Sequence, residues 1–142
     1  MPTIPEFIEF LKYTKDNAQD IYEDITAERS PWRAEWLDAY FEQRSDGLYI
    51  LTNNKTKSEK LGKDTLLNNR KSEIDLKGWL NNPTKQGLPN HHAKEGSLLY
   101  WCPEEDGRVA RFYAGPDRID LKCDRYPQYP SSALGVRAVR EK

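Results

Sequence analysis

At 142 residues, with 37% hydrophobic and 32% charged residues, the chain has the length of one domain and enough apolar material for one core. Aromatic residues make up 11%, four of them Trp, a packed-core composition that excludes a disordered chain. Lys and Arg number 22 against 23 Asp and Glu, a net charge of −1, so the whole-chain balance gives no argument for nucleic acid or an anionic membrane.

The pattern predicts helix first. Phe7, Ile8, Leu11, Ile21, Tyr22 and Ile25 fall near helical spacing over residues 5–27, and Pro5 suits a first turn. The polar run Thr14 to Asp20 allows two shorter helices instead of one. A further helix is predicted from Ser30 as cap and Pro31 at the first position, with Glu35 in an early turn. Trp32, Trp36, Leu37, Tyr40 and Phe41 then form an aromatic stripe, expected to pack into the core. Asp46-Gly47 ends that helix, and Leu48–Leu51 reads as a strand closed by Asn53-Asn54.

Residues 55–71 carry Lys55, Lys57, Lys60, Lys63, Arg70 and Lys71 against Glu59 and Asp64, with helical character near Leu61 to Asn69. This run lacks the interleaved aromatics of a base-stacking surface and reads as a solvated face. Asp75 to Leu80 predicts a short helix stopped by Asn81-Asn82-Pro83. Strands follow: Leu98–Cys102, Val109–Tyr113 and the alternating Ile119, Leu121, Cys123. Glu104 to Gly107 reads as the turn of a hairpin joining the first two. Tyr126 to Ser132 is a Pro-rich loop, and Leu134 to Arg140 a closing strand. Helices first and strands later give an α+β layout with a mostly antiparallel sheet.

This order of elements is similar to the C-type lectin-like fold. Leu48–Leu51 would be its first strand, helices near 60–70 and 74–81 would follow, and a final strand would return to pair with the first. The ending Ala133-Leu134-Gly135-Val136-Arg137-Ala138-Val139-Arg140 resembles the Gly-Phe-Arg-x-Val-Arg ending of bacterial lectin-like domains. Those include the formylglycine-generating and sulfatase-modifying families and the variable proteins of diversity-generating retroelements. Leu99-Tyr100-Trp101-Cys102 resembles the Tyr-Trp-Ser-type strand of such domains. The resemblance implies one domain over 1–142, with 1–45 as a helical N-terminal part and 46–142 as the lectin-like core.

Sugar-binding members hold Ca²⁺ with Glu-Pro-Asn or Gln-Pro-Asp and Trp-Asn-Asp tripeptides. Leu88-Pro89-Asn90 lacks the carboxylate, so neither calcium nor any other cofactor is expected. The variable-protein resemblance implies a diversified surface late in the chain, built from Tyr, Asp, Asn, Ser and Arg. Tyr113, Asp117, Arg118, Asp120, Lys122, Asp124, Arg125, Tyr126, Gln128 and Tyr129 have that character. Tyr and Arg supply rigid area and planar hydrogen bonding, and Asp supplies adaptable contacts. The expected ligand is a protein or a surface glycan. A trimer is common in that family, but no heptad here requires an oligomer.

Two other functions fit the residues. One is a small phage or bacterial interaction or inhibitor protein that binds a single fixed partner through its N-terminal helices or its charged face. The other is an enzyme of the sulfatase-modifying type using Cys102 or Cys123, although both sit in strand patterns where an inert thiol is the default. His91-His92 with those cysteines does not match a zinc-finger spacing. Two cysteines are too few for a disulfide scaffold. The N-terminus shows no basic segment followed by an apolar one, and no apolar run reaches the roughly 18 residues of a membrane span. A cytoplasmic or phage-associated protein with reduced thiols and no membrane insertion is the expectation.

Overall fold

The computed structural model describes residues 1–62, 65–67, 69–104 and 106–126. The predicted closing strand at 134–140, most of the Pro-rich loop, and Gln128 and Tyr129 lie outside the described residues. Helices α1 (Ile4–Asn17) and α2 (Gln19–Thr26) come first. Then follow β1 (Arg33–Arg44), β2 (Gly47–Thr52), β3 (Lys57–Lys60), β4 (Lys71–Ile74), α3 (Leu76–Asn81), β5 (Leu98–Trp101), β6 (Arg108–Ala114) and β7 (Ile119–Arg125). The seven strands form one sheet in the order β3-β2-β1-β6-β7-β5-β4. Every pairing is antiparallel except that of β5 with β7. The architecture is α+β, with N-terminal helices and a mostly antiparallel sheet.

Local chemistry accounts for the helices. Thr3 caps α1 through a reciprocal box: its hydroxyl accepts from the Glu6 N–H at 3.2 Å, and the Glu6 carboxylate accepts from the Thr3 N–H at 2.9 Å. Ile4, Phe7, Ile8 and Leu11 form the buried stripe of α1, and Tyr22 and Ile25 that of α2. The break at Ala18, where φ is −150°, divides the predicted 5–27 span into its two shorter helices. The Asp75 carboxylate caps α3 by accepting from the Gly78 N–H at 2.9 Å.

The predicted helix over 30–45 is corrected: residues 33–44 are strand β1, the longest in the sheet, so the N-terminal part through residue 45 is not all helical. Ser30 and Pro31 are joined by a cis peptide bond and lead into the strand. The aromatic spacing explains the misreading. Trp32, Trp36 and Tyr40 are four residues apart, as are Leu37 and Phe41. An interval of four fits one face of a helix and equally one face of a strand. Burial resolves the ambiguity, because Leu37, Ala39 and Phe41 point into the core while Trp36, Asp38 and Tyr40 are less buried.

Asp46-Gly47 therefore closes a β1–β2 hairpin, with Arg44 opposite Gly47. Asn53, Asn54 and Lys55, all at positive φ, make the next reversal, into β3. The region 55–71 also departs from its partly helical reading. Lys57–Lys60 is an exposed, charged edge strand, a composition that discourages further pairing, and Lys71–Ile74 is strand β4. A second correction concerns Asp106-Gly107, which does not close a β5–β6 hairpin. The Asp106 carboxylate accepts from the Gln43 N–H at 2.8 Å, and the Gly107 N–H donates to the Phe41 carbonyl at 2.8 Å. These bonds tie the connection to β1, and β7 lies between β5 and β6.

The core lies on one face of the sheet. Phe112 of β6 is at its centre, with the Phe7 ring centroid at 5.2 Å and the Trp79 ring stacked at 6.1 Å. The Trp79 indole N–H donates to the Gly87 carbonyl at 2.7 Å, so its polar edge is satisfied inside the core. Tyr100, Leu121 and Cys123 extend this face across β5 and β7. If β1 is a strand, Leu37→Ala should cost about 2–5 kcal/mol of stability. Glu42→Ala, on the same strand but less buried, should cost less than about 0.5 kcal/mol. Urea denaturation of the two variants measures both.

Candidate functional site

Residues paired across strands share a face, and the face opposite the core carries an unusual set. Lys71 pairs with Trp101, Trp101 with Lys122, Lys122 with Arg111, and Arg111 with Trp36. One row thus crosses five strands as Lys71, Trp101, Lys122, Arg111 and Trp36. The neighbouring row runs through Glu73, Leu99, Asp120, Tyr113 and Ala34. The strand alternation that sends Ala110, Phe112, Leu121 and Cys123 into the core sends Arg111, Tyr113, Asp120 and Lys122 to this side.

Tyr113 is held on several sides. Trp32 stacks on it at 6.0 Å, and the guanidinium groups of Arg111 and Arg118 lie 4.9 and 5.1 Å from its ring centroid. Gly115 lies so close that a β-carbon there would stand 2.3 Å from the Tyr113 hydroxyl. The Trp101 ring carries Lys122 at 4.2 Å and Lys71 at 5.5 Å. These contacts hold the aromatic groups in fixed positions against long cationic side chains.

The electrostatics of the face are out of balance. The Arg118 Nε donates to Asp120 Oδ2 at 3.0 Å, and the Asp120 side chain is only 1% exposed. Lys122 Nζ lies 3.9 Å from Asp124 Oδ1, long for a hydrogen bond. Arg111 is 5% exposed and makes no ion pair among the described residues. Trp101 Nε1, Arg111 Nε, Asp120 Oδ1 and Asp124 Oδ1 are all buried without a hydrogen-bond partner among the described residues. Buried polar atoms are nearly always paired; Ser72 Oγ and Tyr100 OH on the core side also lack a partner among the described residues, and the outward face differs in that three of its four such atoms belong to charged groups.

The titration behaviour follows from burial. Desolvation raises the Asp120 carboxyl above the usual carboxylate range, against the opposing hydrogen bond from Arg118 and the charge of Arg111. Desolvation and then repulsion from Arg125 lower the Arg111 guanidinium to about 10. Burial also lowers Lys122, with Asp124 opposing. Arg118 moves upward because it donates to Asp120.

Five of the ten residues expected from sequence to form a contact surface come together on this face, and Gln128 and Tyr129 lie outside the described residues. Tyr113, Asp120, Lys122 and Asp124 stand on this face, with Arg118 at one end. Asp120 is a correction, since it is buried and ion-paired and does not project into solvent. Asp117 is exposed in the β6–β7 turn and touches the site only through Arg118, at 3.9 Å. At the other end of β7, Arg125 pairs in register with Val109. Tyr126 accepts from Arg108 at 3.2 Å and lies under its guanidinium at 4.0 Å. The sequence reading missed Arg111, Trp36 and Lys71, and assigned Trp101 no firm place. Alternation was the available signal for Arg111, because it falls between the core residues Ala110 and Phe112.

Other candidate chemistry is weaker. A cleft of about 610 Å³ lies between α3 and the loop after it, lined by Trp79, Asn81, Asn82, Asn90, His91 and His92 among others. His91 Nδ1 is 2.5 Å from the Asn90 side-chain oxygen and His92 Nε2 is 3.5 Å from Asn69, so the imidazoles already have neighbours. Among the described residues, no three His, Cys, Asp or Glu side chains are grouped to hold a metal ion. Cys102 and Cys123 are buried free thiols. Burial raises Cys102 to about 11 and pushes Cys123 well above the ordinary thiol range, which leaves both protonated and weakly nucleophilic at neutral pH. Among the described residues, no helix is long and apolar enough to cross a membrane.

Comparisons with family models, with curated proteins and with solved structures find no match for this chain.

Two measurements check this description. Because Asp120 is raised in the fold, the native state takes up a proton before the unfolded chain does as pH falls. Ionised Asp120 therefore opposes folding, and its cost is relieved on acidification through the raised folded value. Asp120→Asn should remove that acid-side gain, which a series of melting curves from pH 7 to pH 4 reads directly. Cys102 and Cys123 should resist alkylation by iodoacetamide in the native protein at pH 7.5. They should react fully in denaturant, as counted by intact mass.

Proposed function

We propose that the chain is a ligand-binding protein whose recognition surface is the face of the sheet opposite the core, centred on β5, β6 and β7. The observation that carries this reading is the group of buried, unmatched polar atoms at Trp101, Arg111, Asp120 and Asp124. Each loses water on folding without gaining a protein partner, a penalty of about 1–3 kcal/mol per group. A ligand that supplies those hydrogen bonds recovers it. The surrounding Trp36, Tyr113, Lys122 and Arg118 provide the aromatic and planar-cation contacts typical of binding surfaces.

In this reading the scaffold is C-type lectin-like and the face belongs to a protein of the variable, diversified kind, with a protein or surface glycan as ligand. The strand geometry suits that use. Outward positions on β6 and β7 alternate with core positions, so the outer side chains are replaceable without touching Phe112 or Leu121. Sequencing the same locus from several isolates tests the reading. Substitutions should cluster within about 111–132, at outward positions beside the Arg111–Lys122 centre such as 113, 117 and 118, at adenine-templated codons, with 110, 112, 121 and 123 unchanged. Differences spread evenly along the chain would sink it.

A second reading rests on α1 and α2. Phe10, Tyr13 and Ile21 are large apolar residues left exposed on the N-terminal helices, the region expected to carry the contact if the chain binds one fixed partner. Replacing Tyr113 and Arg118 by Ala separates the two readings, since unchanged partner binding would favour the helices.

A further inference from the structure

We propose that the centre of the outward face, Arg111 with Lys122 and Trp101, is an oxyanion site that docks a carboxylate, phosphate or sulfate group of the ligand. The inference rests on the recognition-surface reading above and names the chemistry of its central contact. The row Trp101–Lys122–Arg111 spans three adjacent strands, so three N–H donors stand on one face at the spacing of neighbouring strands, about 4.8 Å apart at the backbone. Two of them, Trp101 Nε1 and Arg111 Nε, have no acceptor among the described residues. The third, Lys122 Nζ, has its nearest carboxylate at 3.9 Å.

The charges favour an anion over a neutral group. Among the described residues, Asp120 is taken up by Arg118 at 3.0 Å, and Asp124 lies beside Lys122. Arg111 is left as a buried guanidinium whose recorded close contact is the face of Tyr113 at 4.9 Å. A buried guanidinium whose nearby carboxylate, Asp120, is already hydrogen-bonded to Arg118 is costly, and its fork geometry matches an oxyanion better than any other common group. Burial lowers both Arg111 and Lys122, and Arg125 repels both; a bound anion would reverse that lowering. Lys122, with 22% of its side chain exposed, is the open side of the site.

The test is a melting series of the full chain in sodium phosphate, sulfate and acetate, each against sodium chloride at equal ionic strength. Arg111→Met runs in parallel. It keeps the volume of a long side chain and removes the buried charge, so it should melt no lower than wild type. At least one oxyanion should raise the wild-type melting temperature by several degrees, saturably and beyond chloride, and the response should vanish in Arg111→Met. Because phosphate and sulfate stabilise many proteins by exclusion from the surface, the wild-type response minus the variant response is the quantity that counts. A response to phosphate or sulfate alone points to a phosphorylated or sulfated ligand, and one to acetate points to a carboxylate.

Should Arg111→Met not fold, the Trp101 indole N–H resonance of wild type serves instead. It should shift with low-millimolar oxyanion and not with chloride, and Trp101→Phe assigns it. Equal behaviour in oxyanion and chloride, or an undiminished response in Arg111→Met, overturns the site. The isolate comparison is independent of this result, so a failed oxyanion test would leave the recognition surface standing, and confined variation would not rescue the oxyanion.

Discussion

Arg111 is the residue on which the outward face turns. It lies in the middle of β6, flanked in register by Trp36 and Lys122 and beside Tyr113, with almost no exposure to water. Its strand neighbours Ala110 and Phe112 fix its direction, because they are committed to the core. A guanidinium in such a place cannot shed its charge under ordinary conditions, even though burial and Arg125 lower it to about 10. The nearby carboxylate of Asp120 is engaged by Arg118 and is itself drawn toward its neutral form. Substituting a hydrophobic residue at such positions is often neutral or stabilising, so in the proposed reading the buried cation serves the ligand and not the fold.

The two faces of the sheet follow different rules. On the core side, Phe7, Trp79 and Phe112 are packed ring on ring, and the one indole there is satisfied by a carbonyl. On the outer side the aromatic rings are covered by cations: Tyr113 by two arginines, Trp101 by two lysines. A cation over a ring is a modest interaction, about 0.5–2 kcal/mol, and is more readily exchanged than interlocked core packing. The outer face is therefore fixed in position by the backbone and adaptable in its side-chain partners.

Much of this was legible in the sequence, and the misses have identifiable causes. Apolar spacing announced α1, α2 and α3, and alternation announced β7, whereas the capping signal at Ser30 and Pro31 pointed to a helix where β1 runs. Strand β1 was hidden because its large residues are spaced by four, an interval shared by both periodicities. Its true state depends on β2 and β6 on either side, which no local window contains. Strands β3 and β4 are short and polar, and only pairing defines them. The neighbour of β5 was misassigned because Asp106-Gly107 has the composition of a tight hairpin, whereas its hydrogen bonds go to β1. Of the site, the polar alternation on β7 was readable. The role of Arg111 was not, because a charged residue inside a strand gives no sign of whether its counter-charge lies across the sheet.

The sheet order has a consequence for how the molecule is held together. Among the described residues, β4 and β5 join the other strands only through β7, the last of the described strands to leave the ribosome. Until Ile119 to Arg125 is made, the sheet is two separate ribbons: one of four strands ending in β6, one of two ending in β5. β7 closes the seam between them, zipping antiparallel on one side and parallel on the other. Leu121 and Cys123 are the inner stitches, and Asp120 and Lys122 the outer ones. The strand that carries the most chemically varied side chains is thus also the one that makes a single sheet out of two.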